Sequence, residues 1–528
     1  MKQETLEVHG YEKLDAVLRR IEPRLRANIR PALGYPTEAL AARIAQKITM
    51  HITVPFLREG IRRYVADWPS FPSDDAAFTF DGITVAVGSG HVTPTAARVL
   101  RNSAEFLMLW LFYLGAWMLA LVRGKRLAPC ALVYGVPIAD LSHGGNDGRF
   151  IDFCRRGPLV ALREAKRLVV QAAGEVRETR PREACYVRLP LFATLSAQRL
   201  TLRQSGCFLL RHVSAVFYFF AGVVRNPIRC VLWRDVAEHA AGTALNDAGL
   251  IESIVITNTN WQQQFLWMNA LENRRFSTYM ALYSLNNHPI VYRSDRVTTN
   301  HPGISRLNVD EVWVWNDAYG ALLKAEGVRA RSMTVGPILW HLPERERADL
   351  RKEVPTICVF DVTPRTADSA RALGAFKSYY NSDTAVRFID DIVRAREIAR
   401  ERTGVELHIV LKHKRPRIAV DDARYFDHID ALRARAGSFE IVETDVSIYT
   451  LIAGSRAVIV PPYSSPAYVA AHMSVPALFY DATGEVIPTH APHPLVGFLG
   501  DRDELALALA ALVDQPAAAG ATVERVIR

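Results

Sequence analysis

Two short segments carry side chains suited to holding an anion. The run Val460-Pro461-Pro462-Tyr463-Ser464-Ser465-Pro466-Ala467 follows an apolar stretch and opens a helical one. It predicts two hydroxyls and free backbone N–H groups at a helix N-terminus, a setting that accommodates a phosphate. An ordinary helix cap with proline in the first turn has the same residues. Lys412, His413, Lys414 and Arg415 follow a second apolar stretch. Cationic groups at the carboxyl end of a strand can neutralise a phosphoester leaving group, although a solvated basic loop reads alike. A third loop, Asp361-Val362-Thr363-Pro364-Arg365-Thr366, adds Thr363 and Arg365.

The elements that must position these groups alternate. From Ala131 onward, short β-rich pieces (131–135, 167–172, 184–190, 251–258, 276–283, 289–293, 311–315 and 331–337) are separated by helical ones, as in a parallel α/β sheet. After the charged stretch 341–355 a second repeat reads as strands at 356–363, 407–414, 439–442, 457–461 and 476–481 with helices between them. Five strands with intervening helices predict one doubly wound domain. The expected organisation is a helical region over 1–127, a Rossmann-like domain over 128–345 and a second over 346–528, facing each other across a cleft. Ligands of such folds sit beyond the carboxyl ends of the strands. That rule selects the loops 361–367, 412–417, 443–447 and 461–466.

Composition narrows the chemistry. No G-x-G-x-x-G and no G-x-x-x-x-G-K-[ST] occurs, which disfavours NAD-dependent and P-loop activities. Six scattered cysteines with no Cys/His grouping at zinc spacing predict a reduced compartment and no metal. The polar start of the chain reads as no secretory signal, so a cytoplasmic location is expected. Residues 1–250 hold 33 basic against 22 acidic side chains and carry the whole positive excess. No nucleic-acid-binding signature accompanies it, so nucleic acid is not expected as a partner. The same half carries the longest apolar runs, 106–122 and 213–224, which makes an anionic membrane surface the better match. The first run predicts a buried core helix, a monotopic or re-entrant anchor, or a single span, and the second is too short to span a bilayer. An amphipathic helix is predicted around 14–21 and another over 38–47.

At Pro462-Tyr463-Ser464-Ser465 the sequence resembles bacterial polysaccharide-biosynthesis proteins named for a P-F-T-S motif, with Tyr for Phe and Ser for Thr. Further family-like stretches are 257–271, 283–289, 310–316, 359–365 and 411–415. The resemblance implies a GT-B-like fold and a glycosyltransferase that needs no cofactor. Its donor would be a nucleotide-sugar and its acceptor a glycan or lipid-linked glycan of a surface polysaccharide. A more distant similarity to bacterial sialyl- and Kdo-transferases implies that Ser464 and Ser465 form a paired-serine motif and that His413 stands where those enzymes have a histidine before proline; here Lys-Arg-Pro follows it. Lys412, Lys414, Arg415, Thr363, Arg365 and Tyr463 would then complete the phosphate site. A general base for the acceptor hydroxyl is expected from the N-terminal domain, with Asp147 and Asp152 as candidates. Asn258, Asn260 and Trp261 are candidates for acceptor contact. A catalytically silent scaffold at the membrane, and an epimerase or hydrolase on the same fold, are the other readings open at this point.

Overall fold

Runs such as Ala457–Val460 and Ile254–Thr257 are apolar on both faces, as strands are when helices cover both sides of a sheet. They assemble into two parallel sheets. The computed structural model describes, with short interruptions, residues 22–58, 77–136, 149–172, 184–257, 263–339, 354–366, 381–489 and 493–514. An antiparallel meander of β1 (Ala77–Phe80), β2 (Ile83–Ala86) and β3 (His91–Pro94) comes first. The N-terminal sheet then takes β4 (Cys130–Tyr134), β5 (Leu168–Gln171), β6 (Ala184–Val187), β7 (Ile251–Thr257) and β8 (Ser277–Ala281). Past a small excursion of β9 (Ile290–Tyr292) and β10 (Val297–Thr298), the same sheet gains β11 (Glu311–Val314) and β12 (Arg331–Thr334). The C-terminal sheet consists of β13 (Thr356–Phe360), β14 (His408–Lys412), β15 (Phe439–Val442), β16 (Ala457–Val460), β17 (Ala477–Tyr480) and β19 (Val496–Leu499).

The two strand orders are alike. The first sheet runs β6-β5-β4-β7-β8-β11-β12 and the second β15-β14-β13-β16-β17-β19, parallel throughout. Each therefore starts with a strand in its middle, winds outward one way, then returns and winds the other way. The crevice of such a sheet opens between its first and fourth strands, here β4/β7 and β13/β16. Two Rossmann-type domains of this order make the GT-B-like α/β architecture.

The structure departs from the sequence reading at three places. The 289–293 segment does not join the N-terminal sheet. It forms β9, whose antiparallel partner is β18 (Val486–Ile487) of the C-terminal half, so this strand stitches the halves together. The C-terminal sheet has six strands rather than five. The sixth, β19, is a four-residue segment closely following Pro492 and Pro494, too short to stand out. The two apolar runs are the cores of longer helices, α2 (Ala96–Arg123) and α3 (Leu202–Arg225), which follow α1 (Thr37–Arg58). Thr95 caps α2 and a Thr201/Gln204 capping box starts α3, which is why both begin well before their apolar stretches. At 28 and 24 residues they extend about 42 and 36 Å, so the second is not short. The helix expected at 14–21 lies outside the described residues.

α2 and α3 pack on each other and on α4 (Trp233–Asp247). Phe106 stacks on Phe219 at 4.1 Å and Trp110 on His212 at 4.6 Å. α4 is buried along almost its whole length. Its alanine-rich middle permits this, and Gly242 is indispensable: a Cβ there would lie 2.5 Å from the Trp267 ring.

Candidate functional site

The crevice of the C-terminal sheet is built from three strand ends. Asp361 directly follows β13, Lys412 ends β14 and Pro461 directly follows β16, and Asp361 and Pro461 line one small cavity together with Thr384 and Phe388 of α5 (Ser382–Thr403). Asp361 organises the rest. One carboxylate oxygen accepts from His413 Nδ1 at 2.7 Å and from the Tyr425 hydroxyl at 2.9 Å, the latter on α6 (Ala423–Arg435). The other oxygen accepts the backbone N–H of Lys414 at 2.8 Å. Asp361 is buried, and His413 is packed edge-on against Tyr425 and beside Phe426. With Nδ1 engaged and the ring clamped, Nε2 is the nitrogen left to meet a ligand. A carboxylate that fixes the orientation of a histidine is a recurring device of acid–base and electrostatic sites. Burial raises the Tyr425 phenol above its usual range, with the Asp361 charge adding to it, so this hydroxyl stays a donor.

Lys412 takes a different part from the one expected. Its ammonium turns under the sheet edge and donates to the Thr444 carbonyl at 2.7 Å. Desolvation lowers its pKa although Asp361 and Asp445 work the other way. It ties the ends of β14 and β15 together. Lys414 has an exposed side chain, and Arg415 and Arg365 lie outside the described residues. Thr363 is buried, and its hydroxyl finds no hydrogen-bond partner among the described residues. Buried hydroxyls are ordinarily hydrogen-bonded, so this one keeps capacity to spare at the strand end.

The Pro462–Ser465 loop divides its labour. Tyr463 is completely buried and adopts φ of +60°, a conformation uncommon for a residue with a side chain. Its ring stacks on His288 at 4.2 Å, and its hydroxyl donates to the Ile487 carbonyl at 3.0 Å and accepts from the Thr489 N–H at 3.0 Å. These contacts hold the turn, and Tyr463 is an anchor with no face open to a nucleotide. Ser465 Oγ accepts the backbone N–H of Leu285 at 3.0 Å, joining the loop to the N-terminal half. Ser464 makes no side-chain hydrogen bond among the described residues. The helix that follows, α7 (Pro466–His472), is short, and the N–H groups of Ala467 and Tyr468 already bond the Ser464 and Ser465 carbonyls. Two of the amides and the Tyr463 and Ser465 hydroxyls are therefore engaged within the protein, and Ser464 is the loop hydroxyl left with hydrogen-bonding capacity among the described residues.

On the N-terminal side, Asp147, Asn258, Asn260 and Trp261 lie outside the described residues. Asp152 is half-buried in the first turn of the helix Arg149–Arg156. Sequence reasoning missed Asp361 as the organiser of the site, although an acidic residue placed directly after an apolar strand was a visible signal. Near the chain's end the D-x-D run Asp501-Arg502-Asp503 is a helix cap: Asp501 accepts the N–H groups of Asp503 and Glu504 at the start of α8 (Arg502–Asp514).

Fold and site together define a two-domain, Rossmann-type α/β protein with a polar crevice at the strand ends of its C-terminal sheet. The chain belongs to the polysaccharide biosynthesis PFTS motif proteins, whose family model matches residues 212–509. No curated protein matches it in sequence. Similar solved structures include a pneumococcal O-GlcNAc transferase in complex with UDP and GlcNAc (10% identity, TM-score 0.28), with 52% of each chain covered, so this chain spans about half of that enzyme's length. The wall teichoic acid polymerase TagF is another, at 11% identity over 79% of this chain and 89% of that one, with a TM-score of 0.36. A third is the catalytic domain of starch synthase IV from Arabidopsis thaliana, bound to ADP and acarbose, at 11% identity over 76% and 95% of the two chains, with a TM-score of 0.40.

Proposed function

We propose that this protein is a glycosyltransferase that moves a sugar from a nucleotide-sugar donor to a glycan or lipid-linked acceptor of a bacterial surface polysaccharide, without a metal or other cofactor. The observation that carries this reading is the clamped His413 beside Asp361 at the crevice of the C-terminal sheet. Ser464 and Thr363, hydroxyls with hydrogen-bonding capacity to spare, come from the other strand ends of that crevice. The donor phosphates lie against these hydroxyls, and His413 Nε2 faces the oxygen that gains charge as the glycosidic bond breaks. The paired-serine resemblance favours a CMP-linked sugar. Exchanging Ser464 for alanine removes one such contact at about 1–1.5 kcal/mol, a fivefold to tenfold weaker nucleotide. Ser465→Ala changes affinity less, because that hydroxyl already serves the Leu285 N–H. Isothermal titration with CMP, UDP and GDP reads both effects, and a Ser464→Ala affinity equal to wild type for whichever nucleotide binds counts against the site.

The protein works on the cytoplasmic face of the inner membrane, as a monotopic or peripheral enzyme. Only 28% and 33% of the most apolar windows of α2 and α3 are buried, and Met108, Leu111, Leu210 and Phe217 point outward. An apolar face of this size on a folded domain calls for a partner. Arg123, Lys125, Arg126, Arg199 and Arg203 are exposed where the end of α2 meets the start of α3, joined by the Lys125–Gln198 bridge. Apolar side chains beside such a basic edge suit insertion into anionic lipid. Met108→Asp with Phe217→Asp should shift the protein from the membrane pellet to the supernatant in vesicle sedimentation while the fold persists, since both side chains are largely exposed. Equal pelleting of variant and wild type contradicts the assignment.

A further inference from the structure

The N-terminal sheet has a crevice of its own, between β4 and β7, and a charged cluster occupies it. α4 leads directly into β7, so its C-terminus lies at the start of that strand and its N-terminus, with Arg234, Asp235 and Glu238, lies at the strand's carboxyl end. Tyr134 closes β4 beside this cluster, and Thr257 Oγ1 at the end of β7 donates to the Gly135 carbonyl at 2.5 Å. Across the N-terminus of α4, α1 contributes Arg43 and Lys47.

Three cations gather on one ring. The guanidinium of Arg234 lies 4.5 Å from the centre of Phe265, that of Arg43 5.3 Å, and the Lys47 ammonium 5.5 Å. Two carboxylates answer them. Glu238 accepts from Arg234 Nε at 2.8 Å and from the Trp267 indole at 3.0 Å. Asp235 accepts from Arg43 Nε and from the Leu266 N–H, both at 2.9 Å, on one oxygen. Its second oxygen is fully buried and has no hydrogen-bond partner among the described residues, with the Lys47 ammonium 3.9 Å away. Arg234 is held by its Nε alone. Its two terminal nitrogens make no hydrogen bond to the described residues, and a quarter of the side chain is open to solvent. The cluster thus sets three basic side chains against two carboxylates, and it holds a guanidinium fork whose outer edge makes no hydrogen bond to the described residues.

From this geometry we infer that Arg234 and Lys47, backed by Phe265 and Arg43, form an oxyanion site at the acceptor-side crevice, and that its ligand is the phosphate tethering the acceptor to a lipid. The inference rests on the glycosyl-transfer reading above and names the acceptor class. A planar fork on an aromatic face is the arrangement with which arginine grips phosphate. Burial and the neighbouring Arg43 pull Lys47 down to about 7, a cost that an incoming anion relieves. The unsatisfied Asp235 oxygen supplies an acceptor for a hydroxyl or water that arrives with the ligand. The lipid follows from position: Arg234 and Glu238 lie on α4, which packs against both α2 and α3, and these are the two helices with an outward apolar face. The site therefore lies directly behind the membrane-facing helices.

The test is binding of inorganic pyrophosphate and of farnesyl diphosphate in detergent micelles to the full chain, by titration calorimetry. Wild type should bind both, with the prenyl form tighter. Arg234→Gln should weaken both about tenfold to a hundredfold, the scale for a charge-assisted contact. Arg234→Lys, which keeps the charge and loses the fork, should fall between. Unchanged thermal midpoints and nucleotide affinity in these variants show that the fold and the donor crevice are intact. His413→Ala should leave diphosphate binding as in wild type. Equal affinity in wild type and both Arg234 variants overturns the site, as does loss in His413→Ala with none in Arg234→Gln, which places the anion at the donor loops. Farnesyl diphosphate that binds no better than pyrophosphate overturns the assignment to a lipid-borne phosphate. A failed donor reading shows separately, as absence of nucleotide binding with diphosphate binding retained.

Discussion

Replacing His413 by alanine should slow sugar transfer about a hundredfold to a thousandfold at saturating donor while nucleotide affinity changes far less. That is the usual cost of removing one preorganised group that meets charge developing in the transition state. The asymmetry between rate and binding follows from the chemistry. The leaving phosphate carries more charge as the glycosidic bond breaks than it does in the bound donor, so the transition state loses more when the imidazole goes. The geometry extends the prediction to two neighbours. Asp361→Asn keeps the size of the side chain that holds His413 Nδ1 and the Lys414 N–H, but exchanges a carboxylate for an amide, so it should lower the rate by a smaller factor through misorientation of the ring. Lys412→Met should leave the chemical step nearly intact and reduce stability instead, because that ammonium is spent on the Thr444 carbonyl. Single-turnover transfer of labelled sugar by the three variants, set beside their nucleotide affinities, measures all of this. A His413→Ala rate equal to wild type would reduce the histidine to a packing residue.

Asp235→Ala should destabilise the protein by about 3–5 kcal/mol, the scale for deleting one partner of a buried ion pair. Asp235 is completely buried, and its loss removes the carboxylate that Arg43, nearly as deep, donates to and leaves Lys47 without its nearest carboxylate. It also removes the acceptor of the Leu266 N–H, which starts the short helix carrying Trp267 against Gly242. The consequence spreads because Arg43 and Asp235 are 192 residues apart in sequence and the pair docks α1 onto α4. Urea denaturation followed by tryptophan fluorescence should show the midpoint falling with little change in slope. A change below about 1 kcal/mol would mean that water reaches the pair and screens it as it does surface ion pairs.

Much of the architecture was legible in the sequence because it is local. Strands such as 457–460 and 408–412 announce themselves as apolar runs followed by polar loops, and the alternation with helices gives a parallel sheet without knowledge of any contact. The loops holding Asp361, His413 and Ser464 were selected by the rule that ligands sit at carboxyl strand ends, and Asp361 and His413 are joined there. What escaped is long-range. Nothing in residues 289–293 says that their partner is a two-residue strand near 486. The direction taken by the Lys412 side chain depends on which face of β14 its last residue presents and on a carbonyl 32 residues away. Tyr463 looks like a ligand contact in the motif and proves to be its keystone, because the ring that receives it, His288, belongs to the other half of the chain. The charges of α4 were legible as types but not as a site, since the side chains that complete them come from α1 and from Phe265.

The central claim is that this chain transfers sugar, with its donor in the C-terminal crevice. It is tested most directly by incubating purified protein with labelled CMP-, UDP- and GDP-sugars, with and without a lipid-linked glycan extract. Both the labelled product and the released nucleotide are then followed. The account predicts that one donor is consumed, that label appears in the glycan in proportion to nucleotide released, and that omitting the extract stops both. Nucleotide binding without turnover in the complete mixture, or label released to water at the same rate with no acceptor present, would contradict it.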